Sequence, residues 1–494
     1  MDGNKETVQH VERDTVGSSK SVSDVAALEW TVEEEARIRH KIDWHAVPLV
    51  TTLYLLCFLD RVNIGNARIQ GMAKDLDLQG FRFNWALSIF YIIYLTVEVP
   101  SNVLLKRIGP RFYLPFLVVG FGLVSMCTAF VTSYEGLLGA RAILGIFEGG
   151  AMPGMAFFLS TMYKRKELLF RVGIYVSAAS LAGAFGGLLA TALSRIPQWG
   201  TGAAPIHTWR NIFFFEGLVT IIVGLLAPIW MPSGPATAYF LDERERYIAA
   251  ERLVREHRAN PDEHVTMQHF KRGVLCIHNY TCALGFFLIN ITVQGLSVFM
   301  PTILNDLNWT ATKAQLYTVP VYVCACIVAV AVAYISDKTH RRGIYLAGFS
   351  LFAVIGFAIL RWATDPNVRY MAVYFVTVGA FPGGPGFLAW ALNNSAGPAV
   401  RAVTSGYVVM LGTMGGIVAT WTYTANDAPK YHTGHTINLC GQIGVVCLSI
   451  FGILYCLYEN RVRAAGKRDH RLEGLSEEQE VHLGYRHPNF RYIT

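Results

Sequence analysis

Twelve apolar stretches of roughly twenty residues each restrict what this chain can fold into more than any other feature of its sequence. A helix of that length crosses the ~30 Å hydrocarbon core of a bilayer, where only helices and closed barrels satisfy their backbone polar groups. The sequence therefore predicts an all-α integral membrane protein with twelve transmembrane helices. We number them spans 1 to 12, at residues 46–63, 83–105, 112–131, 135–162, 170–193, 211–230, 276–301, 316–336, 343–362, 370–393, 403–423 and 437–458.

The distribution of basic residues predicts the orientation of the spans. An even number of spans puts both termini on one side, and Lys and Arg are concentrated in the loops of that side, among them Lys106, Arg107, Lys164, Arg341 and Arg342. Cytosolic loops carry such an excess, so we expect both termini to be cytosolic. The net charge of +7 reflects this excess, and no basic cluster interleaved with aromatic residues predicts a nucleic-acid partner. The nine cysteines lie almost entirely in apolar stretches, so we expect neither disulfides nor a metal site.

Three polar segments divide the chain. We expect cytosolic tails at residues 1–45 and 461–494, and a cytosolic central segment at 232–275 that contains one amphipathic helix. This segment separates a six-helix bundle at 46–231 from a second at 276–460. Short basic loops after spans 2 and 8, PSNVLLKRIGPR and YISDKTHRRG, indicate that the halves repeat one another. Two pseudo-symmetric six-helix bundles with a site at their interface form the major facilitator fold.

Ionisable side chains inside the apolar stretches are the main clue to function. Each charge at membrane depth costs from ~3 to more than ~10 kcal/mol, so it persists mainly beside a partner, a water cavity or a substrate path. Arg141 and Glu148 are seven residues apart, which places them on one face of a helix. Asp60 and Arg61 are adjacent and about 100° apart around their helix, so one can bind while the other braces the fold. We interpret all four as parts of a transport site; alternatively, they only pair with one another and hold the helices together.

Further candidates lie in spans 2 and 10. Glu98 is another intramembrane acid, one turn from Tyr94, and a site role and a helix-packing role are equally open for it. In span 10, the sequence GAFPGGPGFLAWALNN contains prolines and glycines that interrupt regular helical hydrogen bonding. Asn393 and Asn394 at its end then offer amides to a substrate. The alternative is a kinked gate helix whose amides bond to the next loop.

The loops after spans 2 and 8 also carry candidates for gating. Their charged residues are expected to form pairs that break when the halves move, the alternative being inert solvated loops. These residues are Arg107, Arg111, Asp337, Arg341 and Arg342. Among the N-x-S/T sequons, only that at Asn308 falls in a predicted outer loop, so we expect glycosylation there alone.

Several motifs resemble those of one known family. They are LDRVNIGNARIQGM, FNWALSIFYIIYLTVEVPSN, RAILGIFEGGAMPG, WRNIFFFEGL, FLDERER and SDKTHRRG, and the similarity covers nearly all of residues 30–465. The chain resembles the anion:cation symporter branch of the major facilitator superfamily, particularly its fungal allantoate permease group. That resemblance implies a carrier of small organic anions such as nicotinate, allantoate or pantothenate, driven mostly by protons. It also implies that Arg61, Arg141 and Tyr94 bind substrate and that Asp60 and Glu148 carry the coupling proton.

Together these features predict a monomeric symporter of a fungal plasma membrane that imports a small organic anion with protons and needs no cofactor. Glu98 stands where bacterial members of the resembled family commonly carry an amide, and it adds a third acid to the proton-coupling residues. Two alternatives stay open: an exporter of an acidic secondary metabolite, and a nutrient receptor that does not transport. The spans contain no HExxH metal motif and no G-x-S-x-G nucleophile turn, so we do not expect an enzyme.

Overall fold

The computed structural model describes residues 30–201, 204–259, 267–339, 341–396, 398–474 and 483–494. In this part of the chain, 12 helical segments are long and apolar enough to cross a membrane, which confirms the predicted all-α membrane fold. Spans 1 to 12 consist, in order, of the helices Val32–Ala67, Arg82–Ile108, Pro110–Thr128, Tyr134–Glu148 with Ala151–Met162, Arg165–Leu193, Trp209–Trp230, Ile277–Asn305, Ala311–Thr339, Arg342–Trp362, Pro366–Ala380 with Gly383–Asn393, Pro398–Ala419 and His432–Ala464.

Shorter elements connect the spans. Strands β1 (Trp199–Thr201) and β2 (Ala204–Ile206) form an antiparallel hairpin between spans 5 and 6. A π-helical turn at Arg68–Met72 and the helical turn Ala73–Asp75 extend span 1. Single 3-10 turns lie at Pro235–Thr237, Ala425–Asp427, Asp469–Arg471 and Gly484–Arg486.

The packing of the spans repeats with a period of six. In the first half, span 1 packs on span 5, span 2 on span 4, and span 3 on span 6. In the second half, span 7 packs on span 11, span 8 on span 10, and span 9 on span 12. The halves meet where span 5 packs on span 8, span 2 on span 11, and span 1 on span 7. Adding six to 5 gives 11 and subtracting six from 8 gives 2, so the contact between spans 5 and 8 corresponds to the contact between spans 11 and 2. A two-fold relation between the bundles requires this correspondence, and the pseudo-symmetric pair of bundles is therefore confirmed.

Span 1 begins earlier than hydropathy predicts. Its helix starts at Val32 behind a capping box, in which the Thr31 hydroxyl accepts from the Glu34 backbone N–H at 3.2 Å and the Glu34 carboxylate accepts from the Thr31 N–H at 3.1 Å. Acidic residues at 33–35 in the first turn also suit the positive end of the helix dipole. The last residues of the expected tail are therefore a polar, helical extension of span 1, which an apolar window does not detect. Residues 1–29 lie outside the described residues.

The described part of the central segment contains two α-helices, whereas the sequence predicts one. They are Glu243–Ala259 and Met267–Val274, and residues 260–266 between them lie outside the described part. The first helix is tied to span 1 by the Lys41–Glu245 ion pair at 2.7 Å, whereas the second packs on span 11. Each half of the protein thus holds one helix of the central segment.

Spans 2 and 4 approach each other closely through glycines. A Cβ on Gly145 would lie 2.7 Å from the Phe90 carbonyl oxygen, and a Cβ on Gly149 would lie 2.7 Å from the Tyr94 carbonyl oxygen. Small residues at these positions let the two backbones come together, as they do in tightly packed membrane helices. This contact holds Glu148, at the middle of span 4, beside the Tyr94 turn of span 2.

The two halves are joined by hydrogen bonds at the end of the bundle away from residues 30–45 and 461–474, which we call the far end. The Asn84 side chain of span 2 donates to the Thr420 carbonyl at 2.5 Å, and the hydroxyls of Ser88 and Thr420 are 2.6 Å apart. Gln70, just after span 1, donates to the Gln315 side chain of span 8 at 2.9 Å. The far end is therefore closed by contacts between the bundles.

Gly65 permits this closure where span 1 crosses span 7. A Cβ at Gly65 would overlap the carbonyl oxygen of Val298, so Gly65→Ala is expected to prevent the far end from closing. Ser88→Cys, at a position now 1% exposed, then reports opening through its rate of labelling by a membrane-impermeant maleimide. We expect faster labelling in Gly65→Ala than in the parent, after subtraction of the signal from the native cysteines. Gly139→Ala is the matched control, because its added methyl meets nothing within 4 Å; equal rates in all three proteins would contradict the prediction.

The end of the C-terminal tail is bound to the second bundle. The Asn460 amide of span 12 donates to the Tyr492 carbonyl at 2.9 Å and accepts from its N–H at 2.8 Å. Asn394, at the end of span 10, does the same with Ile493, at 2.9 and 2.8 Å. Trp390 donates to the same Ile493 carbonyl at 2.9 Å. Two side-chain amides thus each hold one residue of the tail through a pair of hydrogen bonds.

Replacing one of these amides is expected to release the tail. Asn394→Ala removes two hydrogen bonds to the tail worth about 1 kcal/mol each, which corresponds to roughly 30-fold easier opening of the tail. Hydrogen exchange of the peptide covering residues 484–494 should accelerate accordingly. Asn489→Ala, at an exposed tail position, is the control. Unchanged exchange in Asn394→Ala would show that these bonds do not hold the tail.

Candidate substrate and ion site

Arg61 and Glu148 form a buried ion pair between spans 1 and 4. Arg61 Nε lies 2.6 Å from Glu148 Oε2, with side chains 10% and 0% exposed. Cys57 Sγ also donates to Oε2, at 3.3 Å, whereas Oε1 has no hydrogen-bond partner among the described residues. The Arg61 guanidinium lies 5.0 Å from the Tyr94 ring centroid, within the range of a cation–π contact. Glu148 is therefore held by the arginine of span 1, and half of its carboxylate is left without a donor.

Asp60 interacts with Glu148 of this pair and also bonds to span 3. The Ser125 hydroxyl donates to Asp60 Oδ1 at 2.6 Å, and Oδ2 has no partner among the described residues. Asp60 is 5% exposed, and Arg141 is the cation that interacts with it most strongly. Asp60 thus bonds to span 3 and Arg61 bonds to span 4, while both act electrostatically on Glu148.

Arg141 is a buried cation without an ion pair in the described part of the chain. It is 4% exposed, and its guanidinium carbon lies 5.8 Å from the Phe213 ring centroid. Asp60 and Glu148 act on it electrostatically, but neither lies within the 4.0 Å of an ion pair. The alternative in which Arg141 and Glu148 simply pair with each other is therefore not what this structure contains, since Glu148 pairs with Arg61.

Tyr91 and Glu98 extend the cluster along span 2. The Tyr91 hydroxyl donates to Gln294 of span 7 at 3.0 Å, which joins the two halves next to the charges. Glu98 is half-buried and interacts electrostatically with Arg61, one turn beyond Tyr94. The structure therefore brings the five candidates of spans 1, 2 and 4 together with Glu98 at one edge. That their side chains bind substrate or protons stays a prediction.

A further acid, Glu216 of span 6, belongs to the same region and was not among the predicted site residues. Asn63 Nδ2 donates to Glu216 Oε2, while Glu216 Oε1 and Asn63 Oδ1 have no partner among the described residues. Glu216 is 9% exposed and Asn63 is 1% exposed. The signal that could have found it is the one that found Asp60, because Glu216 is an acid within the apolar stretch WRNIFFFEGL.

The asparagines at the end of span 10 are engaged by other parts of the protein. Asn394 is fully buried and binds Ile493 of the tail, and its amide nitrogen also lies 2.9 Å from His278 Nε2. Asn393, with its amide oxygen turned toward span 9, accepts from Arg342 Nε at 2.8 Å. In this structure the amides are bonded within the protein, as in the alternative of a bonded helix end, and a role in substrate binding stays a prediction. For Asn394, however, the bonded segment is the distant C-terminal tail and not the next loop.

The charged loop residues make contacts within their own halves. Arg342 pairs with Asp337, across the loop between spans 8 and 9. The Arg111 guanidinium lies 5.6 Å from the ring of its neighbour Phe112, and Arg107 and Arg341 are exposed. No ion pair between two described residues joins spans 1–6 to spans 7–12 at this end of the bundle. A role in gating stays a prediction for this set.

Three comparisons with known proteins identify the family. A family model described as "Major Facilitator Superfamily" matches residues 50–420. An uncharacterized transporter of Schizosaccharomyces pombe is 33% identical over 490 residues, which cover 99% of this chain and 95% of the relative. The high-affinity nicotinic acid transporter of Saccharomyces cerevisiae is 29% identical over 460 residues, covering 93% of this chain and 85% of the relative.

Solved structures share the fold at low sequence identity. A bacterial homolog to the human lysosomal transporter Spinster, in an inward-facing and unoccupied conformation, superposes with a TM-score of 0.62 at 15% identity, covering 86% of this chain and 97% of the other. A D-xylose-proton symporter superposes with a TM-score of 0.60 at 17% identity, covering 82% and 96%. The family model matches most of the chain, and the fold agrees with it. The chain therefore belongs to the Major Facilitator Superfamily and is a multi-pass membrane transporter rather than an enzyme.

Proposed function

We propose that this transporter is a monomeric proton symporter that imports a small organic carboxylate, such as nicotinate, allantoate or pantothenate, across a fungal plasma membrane. The observation that carries the proposal is Arg141, a guanidinium 4% exposed with no ion pair in the described part of the chain. A buried guanidinium without a hydrogen-bonded counterion is costly, so its presence favours an anionic ligand. The planar fork of arginine suits a carboxylate, which it can bind through two parallel hydrogen bonds. The nicotinic acid transporter among the relatives supports this substrate class.

The charge balance of the site supports coupling to protons. Asp60 and Glu148 cancel the charges of Arg61 and Arg141 when all four are ionised. A bound monovalent anion then adds one uncompensated negative charge, which is unfavourable in a buried site. A proton on Asp60 or Glu148 restores neutrality, and each acid has one oxygen without a partner in the described residues. We infer that proton and anion cross together because only their combination leaves the site neutral. Glu98, half-buried at its edge, would pass protons to it.

The arrangement of the halves supports alternating access. With cytosolic termini, the far end that is closed by contacts between the bundles faces outward, and the site would open toward the cytosol. Release of the far-end hydrogen bonds would reopen it outward. In the outward-open state we expect new charge pairs at the terminal end, formed by Arg107, Arg111, Asp337, Arg341 and Arg342. Asn308, exposed at the far end, would be the glycosylated residue.

Uptake by cells tests this function. The chain is expressed in a yeast strain that lacks its own carriers, and labelled nicotinate, allantoate, pantothenate, biotin, phthalate and aldonates are supplied at acidic and at neutral external pH. We expect one member of the panel to accumulate faster at acidic pH. Accumulation that does not depend on external pH would refute proton coupling. If no compound accumulates but a labelled anion made inside the cell is lost faster, the direction is export and the import proposal is wrong.

A further inference from the structure

A cavity of about 160 Å³ lies among the spans of the first bundle, on the face of span 1 that carries Asp60 and Asn63. Spans 1, 3, 5 and 6 surround it, and its wall is mostly apolar. The polar side chains that line it are Asp60, Asn63, Ser125, Glu216 and Thr220. Three of these are at least nine-tenths buried and have an oxygen without a hydrogen-bond partner among the described residues: Asp60 Oδ2, Asn63 Oδ1 and Glu216 Oε1.

The charges around Glu216 do not neutralise it. In the described part of the chain it makes no ion pair, and the one charged group that acts on it is Asp60, which has the same sign. Span 1 contributes Asp60 and Asn63 to its surroundings, span 3 contributes Ser125, and span 5 contributes only Leu189 and Leu193. Water could satisfy the oxygens but could not remove the charge. A buried carboxylate that faces another carboxylate requires a positive charge between them.

We propose that this cavity is a second proton site, in which Glu216 carries a proton and faces Asp60. The proton converts the Glu216 carboxylate into a carboxyl group, whose O–H can donate into the cavity while Asn63 Nδ2 continues to donate to Oε2. Asp60 is shared, since it lines the cavity and also interacts with Arg141. Protonation of Glu216 therefore changes the electrostatic interaction of Asp60 with Arg141 in the anion site, although Glu216 does not contact the substrate. The role of Glu216 in coupling rests on the proposed symport function. Proton binding by Glu216 does not depend on that function.

Thermal unfolding of the purified full-length protein tests proton binding without any substrate. Raising the pH removes the proton and leaves an unpaired charge in the cavity, so the wild-type protein should melt at a lower temperature at neutral than at acidic pH. Glu216→Gln keeps the size and the neutral form of the protonated acid. This variant should have a higher melting temperature than the wild type at neutral pH. It should also lose most of the increase in melting temperature that the wild type shows between neutral and acidic pH. Glu135→Gln, which replaces an exposed acid of span 4, is the control and should show the same increase in melting temperature at acidic pH as the wild type.

Three outcomes would overturn the proposal. The first is that Glu216→Gln retains the full wild-type increase in melting temperature at acidic pH. The second is a neutral-pH stabilisation by sodium chloride over choline chloride that Glu216→Gln abolishes, which would make the cavity a metal-cation site. Should Glu216→Gln fail to fold, Asp60→Asn tests the same site. Loss of the like charge makes Glu216 easier to deprotonate, so the melting temperature should begin to fall at a lower pH than in the wild type. The third contradicting result is a melting temperature that falls at the same pH in Asp60→Asn and in the wild type.

The coupling role has a separate readout. In cells that take up an identified substrate, Glu216→Gln should retain uptake but with a weaker dependence on external pH than Glu135→Gln shows. Uptake with the full wild-type pH dependence would remove Glu216 from coupling while leaving symport intact. If no substrate is transported at all, the proposed function fails, yet the melting experiment still decides whether the cavity binds a proton.

Discussion

Arg141→Ala is expected to weaken substrate binding and uptake by at least about thirtyfold. Removing one partner of a buried hydrogen-bonded charge pair costs about 2–5 kcal/mol, and each 1.4 kcal/mol is a factor of ten in affinity. Arg141→Lys should fall between wild type and Ala, because lysine keeps the charge but loses the planar fork that holds both carboxylate oxygens. Binding of the labelled anion to purified protein measures the effect separately from later steps of the cycle.

The matched control for this prediction is Arg82→Ala. Arg82 is also a helix arginine, but it is 47% exposed and pairs with the exposed Asp77, so its removal should leave binding unchanged. The alanine variant at 141 must elute from gel filtration as the wild type does. A well-folded Arg141→Ala protein that binds the anion with wild-type affinity would contradict the assignment of Arg141 as the anion-binding residue.

Arg61→Ala is expected to destabilise the protein by about 3–5 kcal/mol. The side chains of Arg61 and Glu148 are 10% and 0% exposed, and loss of one partner of a buried pair leaves the other charge uncompensated. The change is measured as the difference in unfolding free energy in denaturant at neutral pH. Glu148→Gln in the Arg61→Ala background should recover much of the loss, because the charge left without a partner is then removed.

A double-mutant cycle separates stability from transport at this pair. Arg61→Met with Glu148→Leu should be close to wild type in stability, since apolar replacement of a buried pair is often neutral or stabilising. The double variant should nevertheless fail to transport, because it lacks an acid that carries the proposed coupling proton. A double variant destabilised by the sum of the two single-variant losses would show that the two residues act independently.

The fold and the charged residues of the site were predictable because burial in hydrocarbon imposes strong rules. Apolar length alone identifies the spans, and the cost of a charge at membrane depth singles out Asp60, Arg61, Arg141 and Glu148. Their pairing was less predictable. Sequence spacing puts Arg141 and Glu148 on one face, but which guanidinium reaches Glu148 depends on how spans 1 and 4 are rotated against each other, and a glycine contact between spans 2 and 4 contributes to that.

The contacts that the sequence does not predict have a common physical cause. The sequence does not predict the contact of Asn394 with Ile493, because Ile493 is a distant residue in a tail with no apolar stretch to predict its position. Glu216 satisfied the same criterion as Asp60 but lies opposite Asn63 of another span, so its importance became evident only from the cavity they share. The early start of span 1 reflects a polar helical extension, since hydropathy reports membrane contact and not helix length.

Uptake into vesicles containing only the purified protein tests the central proposal most directly. The labelled anion identified in cells is supplied outside, with the interior first at the same pH and then more alkaline. We predict accumulation above equilibrium only with the inward proton gradient, and its loss when a protonophore dissipates the gradient or when Arg141 is replaced by alanine. Equal equilibration with and without the gradient would contradict proton symport and leave a facilitative carrier.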